Sequence, residues 1–158
     1  MPNSITPCLW FDTEAEEAAK FYCSVFKNSR FTLVSHYSDA GPRPKGSVMM
    51  VAFELDGRPF TALNGGPQYK FTEAISLQIT CDSQEEVDHY WDRLTADGGS
   101  ENVCGWLKDK YGLSWQVAPR NLIEYMTGRD LEKAKRVAEA MFKMKKIDIA
   151  TIERAAQG

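Results

Sequence analysis

The chain has few of the residues that most catalytic and metal chemistries need. It carries two histidines, His36 and His89, and four cysteines (Cys8, Cys23, Cys81, Cys104), none in a C-x-x-C spacing. A structural zinc site takes four such ligands, so this inventory argues against one. Thiols kept reduced in a cytoplasmic setting behave as small hydrophobes when they fall inside apolar elements, as Cys8, Cys23 and Cys81 are expected to do. Long hydrophobic runs are also missing. The longest stretches from Val48 to Phe53, far short of the ~20 residues of a membrane span. The opening Met1-Pro-Asn-Ser-Ile-Thr has neither the basic segment nor the apolar core of a signal peptide. The expectation is a soluble, cytoplasmic protein with no membrane partner.

No excess of positive charge points to nucleic acid. The net charge is −3, and the one basic stretch, Arg129 to Lys146, is interrupted by Asp130, Glu132 and Glu139. It reads as the solvated face of a C-terminal helix with lysines toward the end its dipole favours. Nothing resembles a glycine-rich loop after a strand, as a nucleotide or S-adenosylmethionine site requires. The 43% hydrophobic and 26% charged residues are those of a globular chain, and 158 residues suit a single domain that needs no disulfide to fold.

What is present is a repeat. Asp12-Thr13-Glu14-Ala15-Glu16 returns 70 residues later as Asp82-Ser83-Gln84-Glu85-Glu86. Each copy has the spacing of a capping box, Thr13 with Glu16 and Ser83 with Glu86. Each follows a short apolar strand (Ile5–Phe11, Ala74–Cys81) and opens an amphipathic helix: Ala15, Ala18, Ala19, Tyr22, Val25 and Phe26 form one stripe, Val87, Tyr90, Trp91 and Leu94 the other. Three strands follow each helix: Arg30–Tyr37, Ser47–Leu55 and Arg58–Asn64, then Ser100–Cys104, Trp106–Lys110 and Leu113–Pro119. Asp56-Gly57 and Tyr111-Gly112 mark hairpin turns. The expected architecture is α+β: two βαβββ modules, about 5–66 and 74–119, with a helical tail over 121–158 made of Asn121–Thr127, Asp130–Met144 and Asp148–Ala156.

A doubled βαβββ unit resembles the vicinal oxygen chelate superfamily of glyoxalases, extradiol dioxygenases and bleomycin-resistance proteins. Three stretches are similar to its PhnB-like, demethylubiquinone-methyltransferase-like branch: Leu9-Trp-Phe-Asp12 with Ala15-Glu-Glu-Ala18 and Phe21-Tyr22; Phe60-Thr-Ala-Leu-Asn-Gly-Gly-Pro67; and Cys104-Gly-Trp-Leu-Lys-Asp-Lys-Tyr-Gly-Leu-Ser-Trp-Gln-Val117. The resemblance runs from about residue 5 to the C-terminus. It implies an open, U-shaped mixed sheet with ligands on the concave side, and a homodimer in which a second copy covers strand edges and apolar surface. It also implies metal-ligand positions on the first, fourth, fifth and eighth strands, which fall here on Thr6, on Phe60 or Ala62, on Ser76 and on Gln116.

None of those residues is His, Asp or Glu, so no metal and no other cofactor is expected, and metal-dependent catalysis and methyl transfer are disfavoured. The two-residue period adds Cys8, Trp10, Asn64, Gln78, Thr80 and Ser114 to the same face. Thr6, Trp10, Asn64, Ser76, Gln78 and Gln116 are therefore the ligand-binding candidates, with Asn64, Gln78 and Gln116 expected to converge. Amides that both donate and accept suit a polar neutral or zwitterionic small molecule. The same residues also read as structural, with Gln78 and Gln116 bonding each other or a water and Trp10 in the core. The functional expectation is a metal-free small-molecule-binding protein with an unknown ligand. The alternative is a lyase, isomerase or other enzyme of the same fold, using a borrowed metal or side-chain acid–base groups. By parity Trp115 points away from Gln116, into the core. Lys108-Asp109-Lys110 reads as a polar turn edge or an anion contact, and Met141, Met144, Ile147, Ile149 and Ile152 as a cap on the sheet or a partner surface.

Overall fold

The computed structural model describes residues 5–158. Among them, β1 (Cys8–Phe11), α1 (Ala15–Val25), β2 (Arg30–His36), β3 (Val48–Leu55) and β4 (Arg58–Asn64) build the first module. The second repeats the order as β5 (Ser76–Cys81), α2 (Gln84–Thr95), β6 (Ser100–Glu101), β7 (Trp106–Lys108) and β8 (Ser114–Pro119). Helices α3 (Arg120–Thr127), α4 (Leu131–Met141) and α5 (Ile149–Gln157) follow. The chain divides between Lys70 and Phe71 into two compact units, each described by itself below. No helix among the described residues is long and apolar enough to cross a membrane.

The two sheets have the same strand order, β1-β4-β3-β2 and β5-β8-β7-β6. In each, the first strand runs parallel to the last and the other pairs are antiparallel. The internal echo is thus a structural duplication, and the fold is α+β with open, mixed, glyoxalase-like sheets. Asp56 and Gly57 both take positive φ, 48° and 72°, as a two-residue turn matching the twist of its strands demands. The first strand of each module starts later than its hydrophobicity suggests, at Cys8 and Ser76. Thr6 accordingly lies outside β1, exposed.

Each sheet packs one face on its own helix. In the first unit Leu9, Phe11, Val51, Phe53, Leu55 and Ala62 are buried with Ala15, Ala18, Ala19, Tyr22 and Val25 of α1. In the second, Ile79, Cys81, Leu107, Trp115 and Val117 are buried with Val87, Trp91 and Leu94 of α2. Cys8, expected to pack as a hydrophobe, sits on the opposite face of β1 and is exposed.

The helix starts differ between modules. Ser83 Oγ accepts from the Glu86 amide (3.2 Å), the first half of the expected box, while the Glu86 carboxylate reaches one residue further back and accepts from the Asp82 amide (2.8 Å) rather than from that of Ser83. The Thr13–Glu16 box does not form. Helix α1 begins one residue later, with Glu14 at its N-cap and no side-chain cap of its own, and Glu16 instead pairs with Lys20 at 2.9 Å. The Ala15 amide is met from the sheet, by Asn64 Oδ1 at 2.8 Å.

The tail folds onto the second unit. Leu122, Val137, Ile147, Ile152 and Ala156 form a small core, with Met141 and Met144 half-buried around it. The Gln84 amide acts as a strand would, donating to Ile147 O (3.1 Å) and accepting from the Ile149 amide (2.8 Å). Most of the apolar tail is therefore spent inside this unit.

The two ways of starting a helix are separable by mutation. Ser83→Ala is expected to cost about 1 kcal/mol. Asn64→Ala leaves a buried amide and the Val48 carbonyl unpaired, a cost of about 1–3 kcal/mol. Thr13→Ala is expected to change stability by less than about 0.5 kcal/mol, as at ordinary surface sites. Urea unfolding of the three variants measures this, and a Thr13→Ala loss equal to that of Ser83→Ala would contradict it.

Candidate functional site

The parallel pairing of β5 with β8 sets Ser76 beside Ser114, Gln78 beside Gln116 and Thr80 beside Ala118. The antiparallel pairing of β7 with β8 adds Lys108 beside Ser114 and Trp106 beside Gln116. Side chains alternate along a strand, and paired residues share a face. With Trp115 and Val117 buried toward α2, all of these lie on the face turned away from that helix. It carries two adjacent rows: Lys108, Ser114 and Ser76, then Trp106, Gln116 and Gln78.

Within those rows Gln116 Nε2 donates to Ser76 Oγ at 2.9 Å, which tethers one amide and leaves its carbonyl without a partner among the described residues. Gln78 is exposed. Ser114 is 1% exposed, yet its hydroxyl has no hydrogen-bond partner among the described residues. A buried hydroxyl left unpaired costs about 1–3 kcal/mol.

The register of this face is set by Asp109. Its side chain is 2% exposed. Oδ1 accepts from the amides of Tyr111 (2.8 Å) and Leu113 (3.1 Å), and Oδ2 accepts from the Trp115 indole (2.8 Å). Asp109 is thus a turn organiser. The anion-facing residue of that triplet is Lys108, whose ammonium pairs with the Glu73 carboxylate. The hydrogen bond from Lys108, aided by one from Glu73's own backbone, holds the Glu73 carboxyl below the usual carboxylate range.

The other candidates are placed differently. Asn64, expected on the ligand face, points to α1: it is 5% exposed, and its amide is used twice, by the Ala15 amide and by donation to Val48 O at 3.1 Å. Ala62 shares its row and is buried, and Phe60 stacks on the buried Phe53 at 5.7 Å. The open side of β4 is therefore Thr61 and Leu63, the opposite of the expected phase. Trp10 is on the open face of β1, but its own chain covers it. The indole donates to Gly66 O at 2.8 Å, and Tyr69 meets it edge-on at 4.9 Å. A Cβ at Gly65 would stand 2.2 Å from the Trp10 ring, so only glycine lets the chain pass there. Gln78, Gln116 and Ser76 are brought together on the sheet of the second unit; Thr6, Trp10 and Asn64 belong to the first unit. Trp106 and Lys108 share the face of Gln78, Gln116 and Ser76 as well: Lys108 carries the anion-contact reading of its triplet, and the shared parity of the two on one short strand is the signal that places Trp106.

Thr6, Ser76 and Gln116 offer hydroxyls and an amide, and Phe60 and Ala62 only carbon. Among the described residues no three His, Cys, Asp or Glu side chains gather into a metal-holding group. Such a donor set does not fit a divalent transition metal. No thiol takes its place. Burial, with the charges of Glu86 and Asp82, pushes the Cys81 thiol up to about 12. Near the two helix starts Arg43 pairs with Asp12 at 3.6 Å and Arg120 with Asp82 at 2.6 Å.

Comparison with known proteins agrees with this fold. A family model described as 3-demethylubiquinone-9 3-methyltransferase matches residues 3–118. No curated protein matches the chain. Among solved structures, the PhnB protein of Bacillus cereus is 35% identical, with 74% of this chain and 99% of that one covered and a TM-score of 0.67. Protein PA1353 of Pseudomonas aeruginosa shares the fold at 20% identity, 74% and 97% coverage and a TM-score of 0.61. The fosfomycin resistance protein FosX of Listeria monocytogenes does so at 16% identity, 78% and 98% coverage and a TM-score of 0.53. The chain belongs to the PhnB-like family, the one described as 3-demethylubiquinone-9 3-methyltransferase, with the fold of the glyoxalase and bleomycin-resistance proteins.

Proposed function

We propose that this chain binds a small molecule without a metal, on the open face of its second sheet, through Ser76, Gln78, Ser114 and Gln116 with Trp106 beside them. The observation that carries the reading is the Ser114 hydroxyl, buried and unpartnered next to a tethered glutamine. A ligand oxygen or N–H at that place would satisfy it. The neighbouring groups are hydroxyls, amides and an indole, the few directed polar groups on an apolar wall that small-molecule sites use. The family's methyltransferase description carries no further weight for this chain, because nothing in it resembles a loop for S-adenosylmethionine.

Serine removal separates this reading from a purely structural one. If the hydroxyl is kept for a ligand, Ser114→Ala leaves the ligand-free protein as stable or up to about 1 kcal/mol more stable, since an unpaired buried group is deleted. Mass spectrometry of compounds released from the purified full chain is then expected to find a stoichiometric small molecule in the wild type, lost in Ser114→Ala and in Gln116→Ala. A Ser114→Ala loss above about 1 kcal/mol, together with unchanged released compounds, would contradict the proposal.

We also propose that the protein is a homodimer. Leu33 (56% exposed) and Val34 (36%) lie on β2, an edge strand, and an apolar edge is a liability that association removes. Sedimentation at micromolar concentration is expected to give about twice the chain mass of 17.8 kDa. A single-chain mass would contradict it.

A further inference from the structure

We propose that the ligand is an amphipathic carboxylate: its apolar body fills the groove beside Trp106, and its carboxylate displaces Glu73 from Lys108. This rests on the binding reading above and names its ligand class. An open groove of about 440 Å³ is lined by Glu73, Val103, Cys104, Trp106, Met141 and Phe142. That volume falls within the range of about 300–1,000 Å³ usual for small-molecule sites. Its walls are largely carbon and sulfur; Asn102 is the neutral polar side chain among them and Glu73 the charged one, and the Glu73 carboxylate is bound to Lys108. The groove thus already ends in a carboxylate–ammonium contact, made by the chain itself.

Three features make Glu73 a stand-in that a ligand can replace. It precedes β5 and is 57% exposed at its side chain, against 38% for Lys108, and an exposed ion pair contributes little stability, so opening it costs little. Lys108 shares its face with Trp106 two residues away and is the register partner of Ser114. A carboxylate has two oxygens and accepts at both. Lys108 can hold one as it now holds Glu73, and a ligand that moves deeper between the rows would bring the other toward the Ser114 hydroxyl, buried and without a partner among the described residues. Ligand apolar surface then covers Trp106, Val103, Met141 and Phe142, of which Val103 and Phe142 are 52% and 67% exposed without it. A neutral ligand of the same shape gains the groove but leaves Lys108 on Glu73.

Isothermal titration of the full chain with 4-phenylbutyrate and with its primary amide tests this. The acid is expected to bind about tenfold more tightly than the amide, the ratio that one charge-assisted contact of about 1.4 kcal/mol supplies. Lys108→Met is expected to erase that preference and Lys108→Arg to keep most of it. Glu73→Gln, at an exposed side chain, removes the internal competitor and is expected to tighten acid binding several-fold with the amide unchanged. No binding of the acid at millimolar concentration, equal affinity for both probes, or an unchanged acid affinity in Glu73→Gln would overturn the proposal. Equal affinities lost together in Gln116→Ala would overturn the carboxylate class alone and leave the binding face intact. Acid preference that survives Gln116→Ala and Ser114→Ala would support the groove and remove the polar rows from the site.

Discussion

The second module depends on one buried carboxylate. Asp109 gathers the amides of Tyr111 and Leu113 and the indole of Trp115, and its own amide and carbonyl close the turn through Leu113 O and the Gly112 amide, each at 2.9 Å. Burying a charge is costly unless it is fully hydrogen-bonded, and here the bonds that satisfy it also specify geometry. They join the turn to a core aromatic, so β8 has a single register against β7. A slip of one residue would send Trp115 to the open face and Gln116 into the core. Every pairing that makes the candidate site, Lys108 with Ser114 and Trp106 with Gln116, follows from that register.

How much of this was legible in the sequence varied by strand, for a physical reason. On β8 the alternation is unambiguous: Trp115 and Val117 in one row, Ser114 and Gln116 in the other, so the faces of Gln116 and Trp115 follow from polarity alone. On β4 both rows are largely apolar, Phe60 and Ala62 against Thr61 and Leu63, and polarity does not choose between them. Asn64, ending the row of Phe60 and Ala62, suggests a ligand face. Its real partner, the Ala15 amide, lies 49 positions away in the chain. Local spacing does not reveal such a contact. The same blindness produced the unformed Thr13–Glu16 box: the motif is present, but a strand residue reaches the helix start first.

The duplication itself was readable because it rests on local chemistry that repeats: a strand end, an acidic helix start, a stop and a hairpin. What the two copies do with it differs. The first unit uses its open face to hold Trp10 under the Gly65-Gly66 segment and Tyr69. The second keeps hydroxyls and amides on the corresponding face, with one hydroxyl unpaired. The same face thus carries structural stitching in one module and a row of hydroxyls and amides in the other. The tail reinforces this division. Its apolar residues, readable as a partner surface, close over Leu122 and Val137, while the Cys104 and Gly105 amides bond to Met144 O (2.9 Å) and Lys145 O (2.8 Å). Those bonds anchor the loop that forms one wall of the groove.

The central claim is that the Ser114 hydroxyl and the Gln116 amide serve a ligand rather than the fold. A high-resolution crystal structure of the full chain, as purified and without added compounds, tests it most directly. The account predicts ordered non-protein density within hydrogen-bond distance of Ser114 Oγ and of the Gln116 amide. Ser114 Oγ bonded to a carbonyl of its own chain, with Gln78 and Gln116 bonded to each other and no density between the rows, would contradict it.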